Sequence, residues 1–211
     1  NARLRRALSS SSSPPDASSR PAWAARSVSN FSRSRRHFKT CKVSSTRSNS
    51  ESVTRSDVCF DLASPRTNLQ PYLDRIRVYR GDVTQMSHLL EAVTSLKVDR
   101  IIHMAALLPP TSEAQPHFGM FVNIQGTNNI FDVASWSGVR RVVYASSISV
   151  YASQKQYGDR PVNEDDLHRP ANVYGMTKLV NDFSAARYTE LHGLDARGIQ
   201  ICTVFGHGRV T

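Results

Sequence analysis

The chain of 211 residues carries a net charge of +10, and 21% of its residues are charged. All of the positive excess lies in residues 1–50, which hold 11 Lys and Arg and one acid, whereas residues 51–211 hold 16 basic and 16 acidic residues. This balanced remainder argues against nucleic acid or an anionic membrane as its partner. The sequence also has no apolar segment long enough to span a bilayer.

Residues 1–56 are predicted to form a disordered basic leader. Residues 1–50 contain 15 Ser and no apolar run that would make a strand. An Arg- and Ser-rich, acid-poor opening is typical of organelle transit peptides, so a mitochondrion or plastid is the alternative to a cytoplasmic location. Two further interpretations stay open. Because the chain begins with Asn1, the leader can be an unrelated piece, or it can be an arm that binds nucleic acid.

Cysteine usage indicates a reducing compartment. The three cysteines, Cys41, Cys59 and Cys202, cannot all pair in disulfides, and their spacing is not that of a metal site. The sequence therefore predicts no metal centre.

From residue 57 to residue 211, strand patterns and helix patterns alternate. β-Branched and aromatic runs occur at residues 58–60, 76–79, 100–104, 141–145 and 199–205. Between them, apolar residues recur at helical spacing, for example Leu89, Leu90 and Val93. This alternation predicts one α/β domain over residues 57–211, with a doubly wound, Rossmann-like parallel sheet.

Small, polar or acidic residues follow each predicted strand. In such a sheet the ligand lies in the crevice beyond the carboxyl ends of the strands. The pattern therefore predicts a nucleotide cleft formed by Asp61, Gly81, Asp82, Ala105, Ala106, Ser146, Ser147, Gly206 and Gly208.

Tyr174 and Lys178 stand four residues apart in a predicted helix. Residues at this spacing lie on the same helix face, which brings a phenol and an ammonium close to one substrate. A phenol ordinarily titrates near pH 10, and a neighbouring cation favours its ionised form. The pair is therefore interpreted as an acid/base site in which Lys178 lowers the pKa of Tyr174.

Six motifs in order resemble the extended short-chain dehydrogenase/reductase family, the nucleotide-sugar epimerases and dehydratases. They are Gly-Asp-Val at 81–83, Ile-His-Met-Ala-Ala at 102–106, Val-Asn-Ile-Gln-Gly-Thr at 122–127, Val-Tyr-Ala-Ser-Ser-Ile-Ser-Val-Tyr at 143–151, Tyr-Gly-Met-Thr-Lys at 174–178 and Val-Phe-Gly-His-Gly at 204–208.

The resemblance implies roles for four catalytic residues. Tyr174 would be the acid/base, Lys178 would also hydrogen-bond the nicotinamide ribose, and Ser147 would orient the reacting oxygen of the substrate. Ser147 is chosen over Ser146 because the family places this hydroxyl three residues before a Val-Tyr pair. For Asn123 two interpretations stay open: it supports a water in the proton relay, or it bonds backbone as an ordinary helix residue.

The resemblance also implies the cofactor contacts. They would be Asp82 and Val83 around the adenine, and Ala105, Ala106 and Leu107 along the pyrophosphate and ribose, together with Tyr174 and Lys178. Asp61 would accept hydrogen bonds from the adenosine ribose and repel a 2′-phosphate, which favours NAD over NADP. A solvated turn residue is the alternative for Asp61.

Other residues of the motifs are less specific. His103 is expected to be a packed core histidine rather than a ligand. For His207 and Arg209 the resemblance implies a loop near the substrate or its phosphates, and two interpretations stay open: a direct role, or none.

Two parts of the family pattern are missing from the sequence. No glycine precedes Gly81, and residues 1–56 offer no apolar run for the central strand that leads into the family's Gly-rich phosphate turn. The chain also ends before the family's substrate domain. The sequence is therefore interpreted as an incomplete copy, in which the strands around Ile101 and Val142 would keep an unpaired edge.

The predicted function is NAD(P)-dependent oxidation, epimerisation or dehydration of a hydroxyl-bearing small molecule such as a nucleotide sugar. Ser149 stands where dehydratases carry a glutamate, which favours epimerase or dehydrogenase chemistry. A non-catalytic dinucleotide-binding or interaction protein is the alternative. The family resemblance further implies a homodimer through the helices that hold Phe121 and Tyr174.

Overall fold

The computed structural model describes residues 41–45, 56–61, 70–74 and 76–204, all within one unit of the chain that spans residues 36–211. Several predictions fall outside the described residues. They concern the leader up to residue 40, the side chain of Asp61, and the loop residues Gly206, His207, Gly208 and Arg209.

Six strands in the described residues form a single sheet. In chain order they are β1 (Cys41–Ser45), β2 (Ser56–Asp61), β3 (Ile76–Arg80), β4 (Arg100–His103), β5 (Arg141–Ser147) and β6 (Ala196–Ile201). Their spatial order, β3-β2-β1-β4-β5-β6, is that of a doubly wound dinucleotide-binding sheet. β2 pairs in parallel with β3, and β4, β5 and β6 pair in parallel with one another, which confirms the predicted fold class.

Helices lie between the parallel strands along the chain. They are α1 (Met86–Ser95), α2 (Thr111–Ala114), α3 (Pro116–Met120), α4 (Gly126–Trp136) and α5 (Val173–His192). A π-helical stretch, Phe121–Gln125, joins α3 to α4. α5 ends at Gly193, whose φ of 65° is the left-handed conformation that glycine adopts readily. In the part of the chain that the structure describes, no helix is both long and apolar enough to cross a membrane.

The core lies between the sheet and the helices α1, α4 and α5. Along β4, Ile101 and His103 are buried whereas Arg100 and Ile102 are exposed, as expected for a strand with one covered face. Phe131 of α4 is fully buried and meets the ring of Tyr144 edge-on, with centroids 5.5 Å apart. Burial of a side chain of this size contributes about 2–3 kcal/mol to stability. The apolar faces predicted from helical spacing therefore pack on the sheet only in part, since Leu89 and Val93 are buried whereas Leu90 is 39% exposed.

The structure overturns the prediction that residues 1–56 contain no strand. β1 lies in the centre of the sheet, with Val43 in register with Val58 of β2 and with Ile101 of β4. β4 therefore has a neighbour on both sides, and the predicted unpaired edge at Ile101 is wrong. The strand escaped detection because Cys-Lys-Val-Ser-Ser has one aliphatic residue, while backbone pairing on both sides satisfies its amides and carbonyls. The sheet thus begins before residue 57.

β1 runs antiparallel to both neighbours. The connection from β1 to β2 is residues 46–55, which is short for the crossover that parallel neighbours need but sufficient for antiparallel ones. The carboxyl end of β1 therefore lies at the opposite edge of the sheet from the carboxyl ends of β2 to β6. A phosphate-binding turn directly after β1, as in the family pattern, would not face the predicted cleft.

Candidate active site

Three predicted catalytic residues meet where β5 ends and α5 begins. The Ser147 hydroxyl at the end of β5 lies near the Tyr174 phenol in the first turn of α5 and lowers the pKa of that phenol. Lys178 is 4% exposed, and its Nζ lies 5.4 Å from the centroid of the Tyr174 ring. The same Nζ donates to the carbonyl oxygen of Ala145 at 2.6 Å. The helix and the strand end thus hold a hydroxyl, a phenol and an ammonium together.

The two adjacent serines at the end of β5 have different partners. Ser146 Oγ donates to Asp182 Oδ2 at 2.6 Å, and Asp182 Oδ1 also accepts from the Tyr144 hydroxyl at 2.9 Å. Ser147 instead faces Tyr174, and its Oγ accepts a hydrogen bond from the backbone N–H of Ser149 at 3.1 Å. Strand alternation explains the difference, since neighbouring side chains point to opposite sides. Ser146 fastens α5 to β5, and Ser147 is the serine beside the phenol.

The pKa of the Tyr174 phenol lies above its ordinary value of 10.0. Burial raises the pKa, and the hydrogen bond with Ser147 lowers it in part. The net pKa of Tyr174 is therefore above its ordinary value, opposite to the lowering predicted from the spacing of Lys178, because burial outweighs the influence that lowers it.

Asn123 lies below the trio, in the π-helical stretch. Its side chain is 1% exposed, with Oδ1 accepting from the N–H of Leu107 at 2.7 Å and Nδ2 donating to the carbonyl of Leu107 at 3.0 Å. Nδ2 also donates to Thr177 Oγ1 at 3.2 Å. These bonds match the second of the two interpretations, in which Asn123 bonds backbone. They connect the segment after β4 to α5.

The predicted cofactor residues lie along the carboxyl edge of β3 and β4. Asp82 Oδ1 accepts from the N–H and the hydroxyl of Thr84, at 2.9 and 2.8 Å, which closes a local turn. The carbonyl of Val83 accepts from Asn129 Nδ2 at 3.0 Å. Ala105, Ala106 and Leu107 are buried where the chain leaves β4. Asp61 ends β2, directly beside Arg80 of β3 in register.

The model of the NAD dependent epimerase/dehydratase family matches residues 28–211. The chain belongs to this family.

Relatives within the family differ in what they act on. A UDP-glucuronate 4-epimerase of Thermodesulfobacterium geofontis is 28% identical over 63% of this chain and 41% of its own length. A structure of UDP-glucose 4-epimerase from Brucella ovis in complex with NAD is 25% identical, with a TM-score of 0.55 over 60% of this chain and 38% of its own. An L-threonine dehydrogenase from Clostridium difficile is 27% identical, with a TM-score of 0.57 over 62% of this chain and 40% of its own.

The chain spans between 38% and 41% of the length of these relatives. The other curated relatives with high similarity give similar shares, 39% for a protein of Methanocaldococcus jannaschii and 38% for one of Staphylococcus saprophyticus.

The described residues of this family member offer suitable groups for part of NAD. Ser147, Tyr174 and Lys178 supply polar groups at one end of the carboxyl edge, and small Ala105 and Ala106 let a ligand approach the backbone. The backbone N–H and carbonyl of Leu107 are both hydrogen-bonded to Asn123, so Leu107 would hold the loop in place rather than bond NAD through its backbone. Within the described residues, no turn after β1 approaches the pyrophosphate position, since β1 carries its chain end away from this edge.

Gly175 is a site residue that sequence reasoning did not single out. A Cβ at this position would lie 2.1 Å from the carbonyl oxygen of Ser149 and 3.1 Å from Cβ of Pro170. The absence of a side chain lets the first turn of α5 lie against the turn that follows β5. The glycine stands in the quoted Tyr-Gly-Met-Thr-Lys motif, but only the packing shows why it is needed.

His103 is confirmed as a buried core histidine, at 4% exposure. Its Nε2 lies 3.0 Å from Thr127 Oγ1, and that hydroxyl donates its only proton to the Asn123 carbonyl at 2.7 Å. Nε2 must therefore carry a proton and donate. Burial, and then the charge of Lys178, lower the pKa of His103 from 6.5 to about 3. The imidazole is thus neutral in the folded protein at neutral pH.

His103 is expected to make stability fall in mild acid. Its folded pKa is lowered, so the unfolded chain binds one more proton below pH 6.5 and stability declines as pH falls from there towards 3. One proton corresponds to about 1.4 kcal/mol per pH unit. We expect His103→Gln, which can still donate to Thr127, to show a shallower decline by up to that amount in urea unfolding between pH 7 and pH 4. Exposed His117→Gln should keep the wild-type slope, and equal slopes for all three proteins would contradict the prediction.

Proposed function

We propose that this chain is the dinucleotide-binding and catalytic part of an NAD-dependent enzyme that acts on a hydroxyl group of a nucleotide sugar or a similar small molecule. The observation that carries the proposal is the contact of the Ser147 hydroxyl with the Tyr174 phenol, with Lys178 Nζ 5.4 Å from the same ring. Membership of the NAD dependent epimerase/dehydratase family supports the choice of cofactor. The carboxylate of Asp61 favours NAD over NADP.

The protein's part in the reaction is orientation and proton transfer. NAD, when bound, supplies the hydride chemistry. In its ionised form, the Tyr174 oxygen would take the proton of the substrate hydroxyl as the carbon that bears this hydroxyl is oxidised. It would return the proton when the same carbon is reduced. Ser147 holds the substrate oxygen beside the phenol and stabilises the ionised form through its hydrogen bond. Lys178, whose Nζ donates to the Ala145 carbonyl, would also bond the nicotinamide ribose.

Ser149 favours epimerase or dehydrogenase chemistry over dehydration. Its hydroxyl lies 3.1 Å from Ser147 Oγ, where a dehydratase would present a carboxylate for elimination. Hydride return to the opposite face of the substrate would give epimerisation, and release of the ketone would give net oxidation. The named relatives include both 4-epimerases of UDP-sugars and a dehydrogenase.

NAD binding tests the proposal directly. We expect calorimetric titration of the 211-residue chain to show saturable binding of NAD, and Lys178→Met to weaken it by about tenfold or more, because a charged hydrogen bond contributes about 1.5–3 kcal/mol. Lys155→Met, in an exposed turn, is the matched control and should bind like the wild type. A folded wild-type chain that binds no NAD would refute the proposal.

The reversed β1 gives the non-catalytic alternative its support. No phosphate turn lies at the carboxyl edge in the part of the chain that the structure describes, and without one a dinucleotide would lack the backbone N–H groups that hold its pyrophosphate. NAD binding without any turnover of nucleotide sugars would favour this alternative.

We also propose a homodimer through α5 and the segment of α3 with its π-helical extension. Four apolar side chains on these helices are between 43% and 73% exposed: Met120, Phe121, Met176 and Phe183. Sedimentation should show a dimer that Phe183→Glu dissociates, whereas a wild-type monomer at high concentration would contradict the proposal.

A further inference from the structure

The first turn of α5 receives its hydrogen bonds from an unusual source. The first amides of a helix have no partner within the helix and need one from outside. The N–H of Gly175 is accepted by Asn172 Oδ1 at 2.7 Å, as in an ordinary N-cap. The N–H groups of Val173 and Tyr174 are accepted by the two carboxylate oxygens of Glu113, each at 3.0 Å. One distant side chain thus satisfies two of the three amides.

Glu113 belongs to α2, in the segment that follows the predicted cofactor residues at the end of β4. Its neighbour Ser112 is fully buried and donates its hydroxyl to Glu113 Oε1 at 3.1 Å. A Cβ at Gly119 would lie 3.1 Å from Cα of Ser112, so α3 packs closely against this point. The packing of α3 against Ser112 therefore fixes the backbone next to Glu113, and the hydrogen bond from Ser112 holds the Glu113 carboxylate.

We infer that Glu113 is a positioning residue for Tyr174, in which the carboxylate fixes the start of α5 so that the phenol meets Ser147. This inference deepens the proposed function, on which it rests. Tyr174 is the residue whose own N–H is bound, so a shift of that amide moves the ring with it. The contact also joins the segment after β4 to the acid/base residue, in parallel with Asn123 and Thr177.

Charge supports the same arrangement. α5 has no acidic residue in its own first turn, so Glu113 supplies the negative charge that the N-terminus of a helix favours. Burial alone raises the pKa of the Glu113 carboxyl. The hydrogen bonds from Tyr174, Val173 and Ser112 together lower this pKa by more than burial raises it, so the net pKa is below 4.5. Its contribution to stability is therefore present above pH 4.5 and is lost as pH falls through the lowered pKa.

Two substitutions separate the carboxylate's geometry from its charge. Glu113→Ala removes both acceptors, whereas Glu113→Gln removes the charge but keeps one acceptor oxygen. Glu190→Ala is the matched control. Glu190 lies on α5, the helix whose first turn Glu113 binds, and it pairs with Arg187 at the surface. The readouts are amide hydrogen exchange at Val173 and Tyr174 and the titration of Tyr174, followed by carbon NMR of ring-labelled tyrosine and assigned with Tyr174→Phe.

In Glu113→Ala we expect exchange at both amides to speed up by about tenfold, which corresponds to the loss of one hydrogen bond each. The Tyr174 midpoint should lie higher in the Ala variant than in the Gln variant, because the bond with Ser147 is weakened. Gln should protect one of the two amides, and Glu190→Ala should change neither.

The inference is overturned if both amides and the Tyr174 resonance keep their wild-type behaviour in Glu113→Ala. Should the Ala variant not fold, wild-type protection of both amides in the Gln variant has the same meaning. None of these measurements uses NAD or a substrate, so failure of the proposed function would be seen separately.

Discussion

Tyr174→Phe is expected to abolish turnover while leaving the protein folded. Phenylalanine keeps the ring but removes the oxygen that exchanges a proton with the substrate, and loss of a positioned acid/base group costs about 10²–10⁴-fold in rate. The measurement is NAD-dependent conversion of the nucleotide sugar that the wild type accepts best. Ser147 retains its bonds with Ser149 in the variant, so the site keeps its shape.

Tyr72→Phe is the control for this substitution, because Tyr72 is 51% exposed and lies outside the site. It should retain wild-type turnover, and the urea unfolding midpoints of both variants should stay close to that of the wild type. If Tyr174→Phe keeps wild-type turnover, the acid/base role of the phenol is excluded.

Gly175→Ala is expected to destabilise the protein by about 3 kcal/mol or more, at the upper end of what an overpacked site costs. The added Cβ would lie 2.1 Å from the Ser149 carbonyl oxygen, a backbone atom that cannot turn away. A loss of stability would be informative, because at an exposed helix position the same change from glycine to alanine raises the free energy of unfolding by about 1 kcal/mol. Urea unfolding gives the free energy.

Glu190→Ala provides the comparison on the same helix. The side chain of Glu190 is 59% exposed, so its truncation should change stability by no more than about 0.5 kcal/mol. The Gly175 variant should also displace Tyr174 from Ser147, which the tyrosine NMR titration would detect. Stability equal to the wild type would show that the turn after β5 moves aside without cost.

The sequence allowed prediction of the features that repeat or stand in motifs. The strands β2 to β5 were recognisable because apolar β-branched residues alternate with helical stretches, whereas the run predicted at residues 199–205 overlaps only the end of β6, Ala196–Ile201. The pairing of Tyr174 with Lys178 followed from the spacing of one helical turn, and the choice of Ser147 followed from the family resemblance.

What could not be predicted depends on contacts between distant segments. β1 has one aliphatic residue, and only its two neighbours make it a strand. Glu113 lies 61 residues from the amide of Tyr174, with no local pattern to connect them. The pKa of Tyr174 could not be predicted from the spacing of Lys178 alone, because burial raises it. Gly175 was visible, but the carbonyl of Ser149 that excludes a side chain was not.

β1 has a consequence for how the site holds together. Among the described strands it alone bridges the pair β3 and β2 with the trio β4, β5 and β6. Asp61 and Asp82 lie on one side of this joint, and Tyr174 with its partners lies on the other. Five residues of backbone pairing, Cys41–Ser45, thus set the distance between the two halves of the cleft. A ligand that contacts both halves would stabilise the state in which β1 is paired with β2 and β4. Such a ligand would therefore slow hydrogen exchange in β1.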